Sequence, residues 1–208
     1  QAVFIRTPLS DLYAGSGILP LHHLSERGLP VAIGFGFGSG AAENFFDAVK
    51  MVGSIQRIVQ PDYSKWPGVK QLLKMGIQAG AKASLWAGQI GQGAPGYRAD
   101  LVFYDLNRLA FTPMNELAFQ LIYLEDGSSI EAVMVDGKFL VQNGKVLSVD
   151  EQEALDRFGA AQESYEIQRR SYDLFESQLA PYRLAAYTQA APQPYAVHRW
   201  ANHAAQKT

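Results

Sequence analysis

A chain of 208 residues that is 48% hydrophobic and 12% aromatic can bury a substantial core, as one domain or as a domain with an appendage. Eighteen basic against 20 acidic side chains leave a formal charge of −2, so no electrostatic footprint argues for nucleic acid or an anionic membrane as partner. The absence of cysteine removes disulfides, thiol nucleophiles and sulfur-ligated zinc, fits a reducing compartment, and leaves any metal to His, Asp or Glu.

The chain opens on Gln1-Ala2-Val3-Phe4-Ile5, strand-like from its first residue and without the basic, apolar and small-residue order of a signal peptide. It is therefore expected to begin in the middle of a fold. No apolar run reaches the length of a membrane span, and a soluble, cytoplasmic protein is expected. Residues 2–6 read as a strand, residues 7–17 as a loop, and residues 18–27 as a short helix closed by Gly28. Residues 29–35 give the next strand, whose apolar Val31-Ala32-Ile33 suits burial on both faces, and it breaks into the glycine loop Gly34 to Gly40. Two strand, loop and helix units of this length predict parallel strands joined by crossovers, as in an α/β layered sheet or barrel.

Gly36-Phe37-Gly38-Ser39-Gly40-Ala41 fits the G-x-G-x-x-G/A pattern, with residues 41–59 as the following helix. A dinucleotide fold would next require a parallel strand and a ribose-binding acid, whereas this helix runs into Gln60-Pro61-Asp62 and a second helical stretch, residues 69–83. Residues 88–96 form a glycine-rich turn region. Beyond it the composition turns β-rich over residues 99–104, 130–135 and 138–141, punctuated by Asp126-Gly127, Asp136-Gly137 and Asn143-Gly144, so residues 130–149 predict an antiparallel meander. Ser148 or Asp150 can cap a last long helix, with Leu155, Phe158, Tyr165, Tyr172, Phe175 and Leu179 as one apolar stripe ending before Pro181. Residues 182–208 read as an irregular tail that wraps over a surface or a neighbouring subunit.

Five segments carry a family resemblance. Arg6-Thr7-Pro8-Leu9-Ser10-Asp11-Leu12-Tyr13-Ala14-Gly15-Ser16-Gly17 resembles the H-x-P-x-S-N-L-x-L-G-S-G segment of amidohydrolase-superfamily deaminases and chlorohydrolases, a group that includes guanine, cytosine and S-adenosylhomocysteine deaminases. Gly34 to Gly40 falls where such enzymes carry G-T-D-x-G, and Met75 to Ala83 resembles M-A-T-x-x-G-A-x-A. Ile90 to Val102 resembles I-G-x-L-x-x-G-x-x-A-D-L-V. Val133-Met134-Val135-Asp136-Gly137-Lys138 with Asn143-Gly144-Lys145-Val146 resembles the closing V-x-V-D-G-K and D-G-x-V. Five collinear matches over about residues 3–150 are far more specific than any one alone.

The resemblance implies that residues 1–84 are the C-terminal part of a (β/α)₈ barrel, carrying its last two strand and helix units. It places residues 85–149 in a small β-sandwich and leaves residues 150–208 as a helix and tail. In such enzymes a divalent metal, zinc or iron, is held by histidines of earlier strands and activates water, while an Asp after the last strand binds the metal and takes the proton. The aligned position here is Gly36, behind Phe35 in place of Thr, and Arg6 replaces the His before the Pro-x-Ser segment. Ser10 and Asp11 match the loop that shapes the substrate pocket, and Asp100 matches a structural Asp.

The four histidines are not placed as ligands. His22 and His23 are neighbours on a short helix whose side chains are expected to diverge by about 100°, and His198 and His203 lie in the tail. Glu43 and Asp47 are four apart at a helix start, where acids are electrostatically favoured without any catalytic role. This chain alone is thus expected to hold no metal. Two accounts stay open: the C-terminal part of a deaminase-like hydrolase acting on carbon-nitrogen bonds of a cyclic amidine or purine-like substrate, or a non-catalytic scaffold or partner subunit derived from that family. Both expect further polypeptide over the unpaired strand edges, either a missing N-terminal half or another copy in a homo-oligomer.

Overall fold

The computed structural model describes residues 2–36 and 44–191. They divide into two units, one ending at Lys145 and the other beginning at Val146. In the first, β1 (Phe4–Arg6) and β2 (Val31–Ile33) pair in parallel, with Phe4 opposite Val31 and Arg6 opposite Ile33. Val31, Ala32 and Ile33 are all buried, as their apolar run predicts for a strand covered on both faces. Ile5 of β1, by contrast, is 61% exposed.

Between the strands lie α1 (Pro8–Tyr13) and α2 (Leu21–Glu26). The loop expected over residues 7–17 is corrected by α1. Pro8 stands at its start, where the missing N–H costs nothing and the fixed φ is already helical, and the Asp11 N–H donates to the Thr7 carbonyl at 2.8 Å. Gly28 closes α2 at φ +65°, the left-handed cap that the sequence predicts.

Helix α3 (Phe45–Val59) is the hub. The Asn44 side chain caps it by accepting from the Phe46 N–H at 2.9 Å. Val49 and Val52 project from it into a core completed by Leu21, Val31, Ile33, Leu72, Met75 and Ile122. The single helix expected over residues 69–83 is two, α4 (Val69–Gly76) and α5 (Gln78–Ala83), joined at Ile77. At the end of α4 a Cβ on Gly76 would sit only 2.7 Å from the Phe45 ring, so this packing favours glycine there at a cost in helix propensity. Helix α6 (Leu117–Tyr123), which has no counterpart among the predicted elements, covers the far side of α3 with the fully buried Ile122.

The β-rich stretch forms a sheet of β3 (Leu101–Tyr104), β4 (Ile130–Val135), β5 (Lys138–Gln142) and β6 (Lys145–Val146), in that order, with the first three antiparallel. Asp136 and Gly137, then Asn143 and Gly144, all have positive φ, the backbone that tight hairpin turns demand of both central residues. Asp100 Oδ1 accepts the Asp136 N–H at 2.8 Å, a turn-tying role that matches its structural reading.

Glu125, fully buried, organises the preceding turn: Oε1 accepts the Gly127 N–H at 2.6 Å and the Ser129 N–H at 3.1 Å. Desolvation, with the Glu125 carboxylate second, pushes the half-buried Tyr104 phenol up to about 12. The folded value lies above the ordinary 10.0, so the neutral phenol is the form that the fold favours. Its contribution is complete below pH 10 and is lost as pH rises from 10 to about 12. We expect denaturant midpoints to fall across that window, and Tyr104→Phe to flatten the fall; a profile identical in both proteins would contradict this.

In the second unit, α7 runs from Glu151 to Ala190, capped by Asp150, whose Oδ1 accepts the Glu153 N–H at 3.0 Å. It does not stop before Pro181, so the irregular tail expected from residue 182 starts no earlier than the end of this helix. Proline removes one backbone bond, but Leu184-Ala185-Ala186 are strong helix formers, and an ion pair from Glu176 to Arg183 spans the site. Among the described residues no helix is long and apolar enough to cross a membrane.

Candidate functional site

The parallel pairing brings the C-terminal ends of β1 and β2 to one edge, where Arg6 and the start of the glycine loop meet. The Gly34 N–H donates to the Arg6 carbonyl at 2.7 Å. A Cβ on Gly34 would lie 2.8 Å from Ile5 Cγ2, so a side chain here would force the Ile5 side chain to move. Gly36 follows two residues later, half-buried, with Phe35 42% exposed beside it. Residues 37–43, including Glu43, lie outside the described residues.

Arg6 is the unusual group at this edge, being 5% exposed. Its Nη1 lies 3.7 Å from Asp11 Oδ2 and its Nη2 donates to the Gly17 carbonyl at 3.2 Å, while Nε is buried without a partner. Asp11 Oδ1 also accepts from the Thr7 hydroxyl at 3.4 Å. Burial pushes the guanidinium pKa down, and Asp11 opposes that shift. Two departures from the resembled motif, Arg for His at 6 and Asp for Asn at 11, are therefore one feature: a buried cation and the anion that compensates it. Ser10 is half-buried one residue before that anion.

The other candidates sit apart from this edge. Asp47 pairs with Lys50 at 3.6 Å on the surface of α3, in line with its reading as a helix-start acid. His22 and His23 are corrected in one respect: their rings do not diverge but touch, with centroids 3.9 Å apart. Adjacent Cα–Cβ bonds do point about 100° apart, yet the side-chain torsions fold the rings together. His22 Nδ1 is buried with no partner, and desolvation first, then His23, hold this imidazole below its ordinary value. His23 faces Glu26 at 3.8 Å. His198 and His203 lie outside the described residues.

Among the described residues no three His, Asp or Glu side chains gather where they could hold a metal ion. The donor set among the described residues does not fit a hydrolytic metal by itself, and no chemical step is routed through one here. One positioning residue escapes sequence reasoning. Gln56, 2% exposed, accepts the Leu21 N–H at 3.0 Å and donates from Nε2 to the Leu19 carbonyl at 2.9 Å, clamping α3 to the segment that leads into α2. The signal was present: a lone polar residue on the helix face of Val49 and Val52.

Comparison with known proteins gives this edge a context. Residues 2–140 match the model of the amidohydrolase family. The 5-methylthioadenosine/S-adenosylhomocysteine deaminase of Caldanaerobacter subterraneus is 28% identical over 177 residues, which make up 85% of this chain and 39% of that enzyme. The 5′-deoxyadenosine deaminase of Methanosarcina mazei is 29% identical over 157 residues, 75% of this chain and 36% of that protein. Among solved structures, a zinc-bound adenosine deaminase from Xanthomonas campestris superposes with a TM-score of 0.75 at 23% identity, over 79% of this chain and 38% of that one. The chain thus spans less than two-fifths of each of these relatives.

Proposed function

Because the chain belongs to the amidohydrolase family, we propose that it supplies the C-terminal part of a deaminase-like hydrolase acting on non-peptide carbon-nitrogen bonds, with a cyclic amidine or purine-like substrate. In this reading β1 and β2 are the last two strands of a (β/α)₈ barrel, and β3 to β6 are part of the adjoining β-sandwich. The observation that carries it is the parallel β1–β2 pair, whose shared C-terminal edge bears Arg6, Ser10, Asp11 and Gly36 together, the edge where barrel enzymes assemble their chemistry. Ser10 and Asp11 line the substrate pocket. Asp11 does so with one carboxylate oxygen committed to Arg6.

Gly36 occupies the position of the proton-accepting Asp and can neither ligate a metal nor take a proton. Zinc or iron belongs to intact relatives, where it would supply an activated water; the residues present here orient a substrate and exclude solvent from the strand ends. The second reading, a non-catalytic scaffold or partner subunit, is favoured by the Arg6–Asp11 pair, since a fixed cation now stands at the strand end.

One experiment separates these readings. The chain would be co-expressed with the preceding segment of the Caldanaerobacter relative, and the purified particle assayed for bound metal and for ammonia release from 5′-deoxyadenosine-type nucleosides. We expect co-purification without ammonia release, and release once Arg6→His and Gly36→Asp are introduced together. Continued inactivity in a particle that assembles and binds metal would select the scaffold. Release by the unmodified chain would refute the role given to Gly36.

A further inference from the structure

Helix α7 carries a feature that the hydrolase reading leaves unused. At about 1.5 Å per residue its 40 residues reach about 60 Å. Phe158, Tyr165, Tyr172 and Leu179 follow one another at strict seven-residue steps, and Phe175 and Tyr182 lie three residues after the last two of these. These are the first and fourth places of a heptad, the seam along which helices pair. The aromatic members are largely solvent-exposed: Phe158 81%, Tyr165 61%, Tyr172 66%, Phe175 56% and Tyr182 73%.

The period decides what shape can cover them. On a straight helix a seven-residue repeat drifts by about 20° per heptad, hence roughly 60° from Phe158 to Leu179. A flat surface would lose contact with such a stripe, whereas a second helix supercoiling with it stays in register. The area is also right for a helix partner. With about 150–250 Å² on each aromatic side chain, the seam offers roughly 700 Å² per helix, close to the share each partner contributes to a stable interface.

Charge then selects the occupant and its direction. Arg169, which meets Glu166 of its own helix at 3.2 Å, and Glu176, which pairs with Arg183, occupy successive positions flanking the seam, each four residues after a heptad start. In a parallel pair these positions meet Ser164 and Ser171, giving no opposite charges. In an antiparallel pair centred near Asp173, Arg169 meets Glu176 of the other helix, and two-fold symmetry repeats the contact. The surface is complementary to itself.

We propose that α7 pairs antiparallel with α7 of a second copy of this chain, through the heptad seam of Phe158, Tyr165, Tyr172, Phe175, Leu179 and Tyr182. The pairing places Tyr172 of one copy against Phe175 of the other and Ala161 against Ala186.

Sedimentation of the full chain should give twice the 22.9 kDa chain mass. Tyr172→Glu with Phe175→Glu should return it to monomer with helical circular dichroism retained. Arg169→Glu should weaken the dimer about tenfold and the added Glu176→Arg should recover it, since the swap rebuilds each interhelical pair. The chain is cysteine-free, so paired Ala161→Cys and Ala186→Cys substitutions should cross-link two copies under oxidation, while Ala161→Cys alone should not. A monomeric chain at about 100 µM, where a stable interface of this size would be filled, overturns the proposal. So does an oligomer that survives the double Glu substitution, or cross-linking by Ala161→Cys alone, which would mean a parallel pair.

Discussion

Replacing Gln56 with Leu should destabilise the first unit by about 3 kcal/mol in denaturant unfolding, although a larger apolar surface is then placed in an apolar core. The side chain satisfies two backbone groups at once, the Leu21 N–H at 3.0 Å and the Leu19 carbonyl at 2.9 Å, in a site where the residue is only 2% exposed. Leucine leaves both groups buried and unpaired, each costing about 1–3 kcal/mol, against about a third of that regained by burial of its methyl groups. Gln56→Glu keeps an acceptor for Leu21 but turns a carboxylate oxygen toward the Leu19 carbonyl, and should be no better. A loss below about 1 kcal/mol for Gln56→Leu would mean that water enters and replaces the clamp.

Asp11→Asn should cost about 2 kcal/mol, more than an isosteric change at a half-buried site ordinarily does. Among the described residues it removes the one carboxylate paired with the buried Arg6 guanidinium and leaves a cation whose Nε has no partner there. The full cost of orphaning a buried charge, about 3–5 kcal/mol, is reduced here because the Asp11 side chain is 27% exposed and the pair is 3.7 Å apart. Arg6→His alone should also destabilise, since Asp11 then loses its counter-charge. The double substitution Arg6→His with Asp11→Asn should cost less than the two single losses added together, with a coupling of about 1 kcal/mol or more in a double-mutant cycle. Strict additivity would show that the two side chains do not sense each other.

Much of the framework was legible because it is encoded locally. Asp136-Gly137 and Asn143-Gly144 predict hairpins from their own backbone preferences, and both turns have the required positive φ. Val31-Ala32-Ile33 announces a buried strand by composition alone, and Gly28 announces a helix end. What escaped depends on contacts distant in sequence or on competition between local rules. Pro8 and Ser10 look like loop chemistry, yet proline at a first helical position is a start signal too, and α1 results. Pro181 looks like a stop, but the residues after it favour a helix strongly enough to carry α7 onward. Leu117 to Tyr123 is too short and too uniformly apolar for its period to separate helix from strand.

The candidate site was legible as a set of departures and not as an arrangement. Arg6 and Gly36 stand out against the resembled motif, and Asp11 differs from it by one atom group. Nothing in the sequence says that Arg6 and Asp11 meet, because that depends on α1 folding back over the end of β1. The contact between His22 and His23 was hidden for a similar reason, since helical spacing fixes where side chains leave the backbone and not where their rings end.

The Arg6–Asp11 pair also governs which sequences this chain can reach by single mutations. A step from Arg6 toward His strands a carboxylate, and a step from Asp11 toward Asn strands a guanidinium, so either path to the resembled motif passes through a less stable protein. Gly36 carries no such restraint. One base change converts a glycine codon to that of an acidic residue, Asp from two of the four codons and Glu from the other two, and the residue is only half-buried. Substitution would therefore reach Asp at 36 more readily than His at 6, and relatives that carry Asp at 36 together with Arg at 6 are the intermediates to look for.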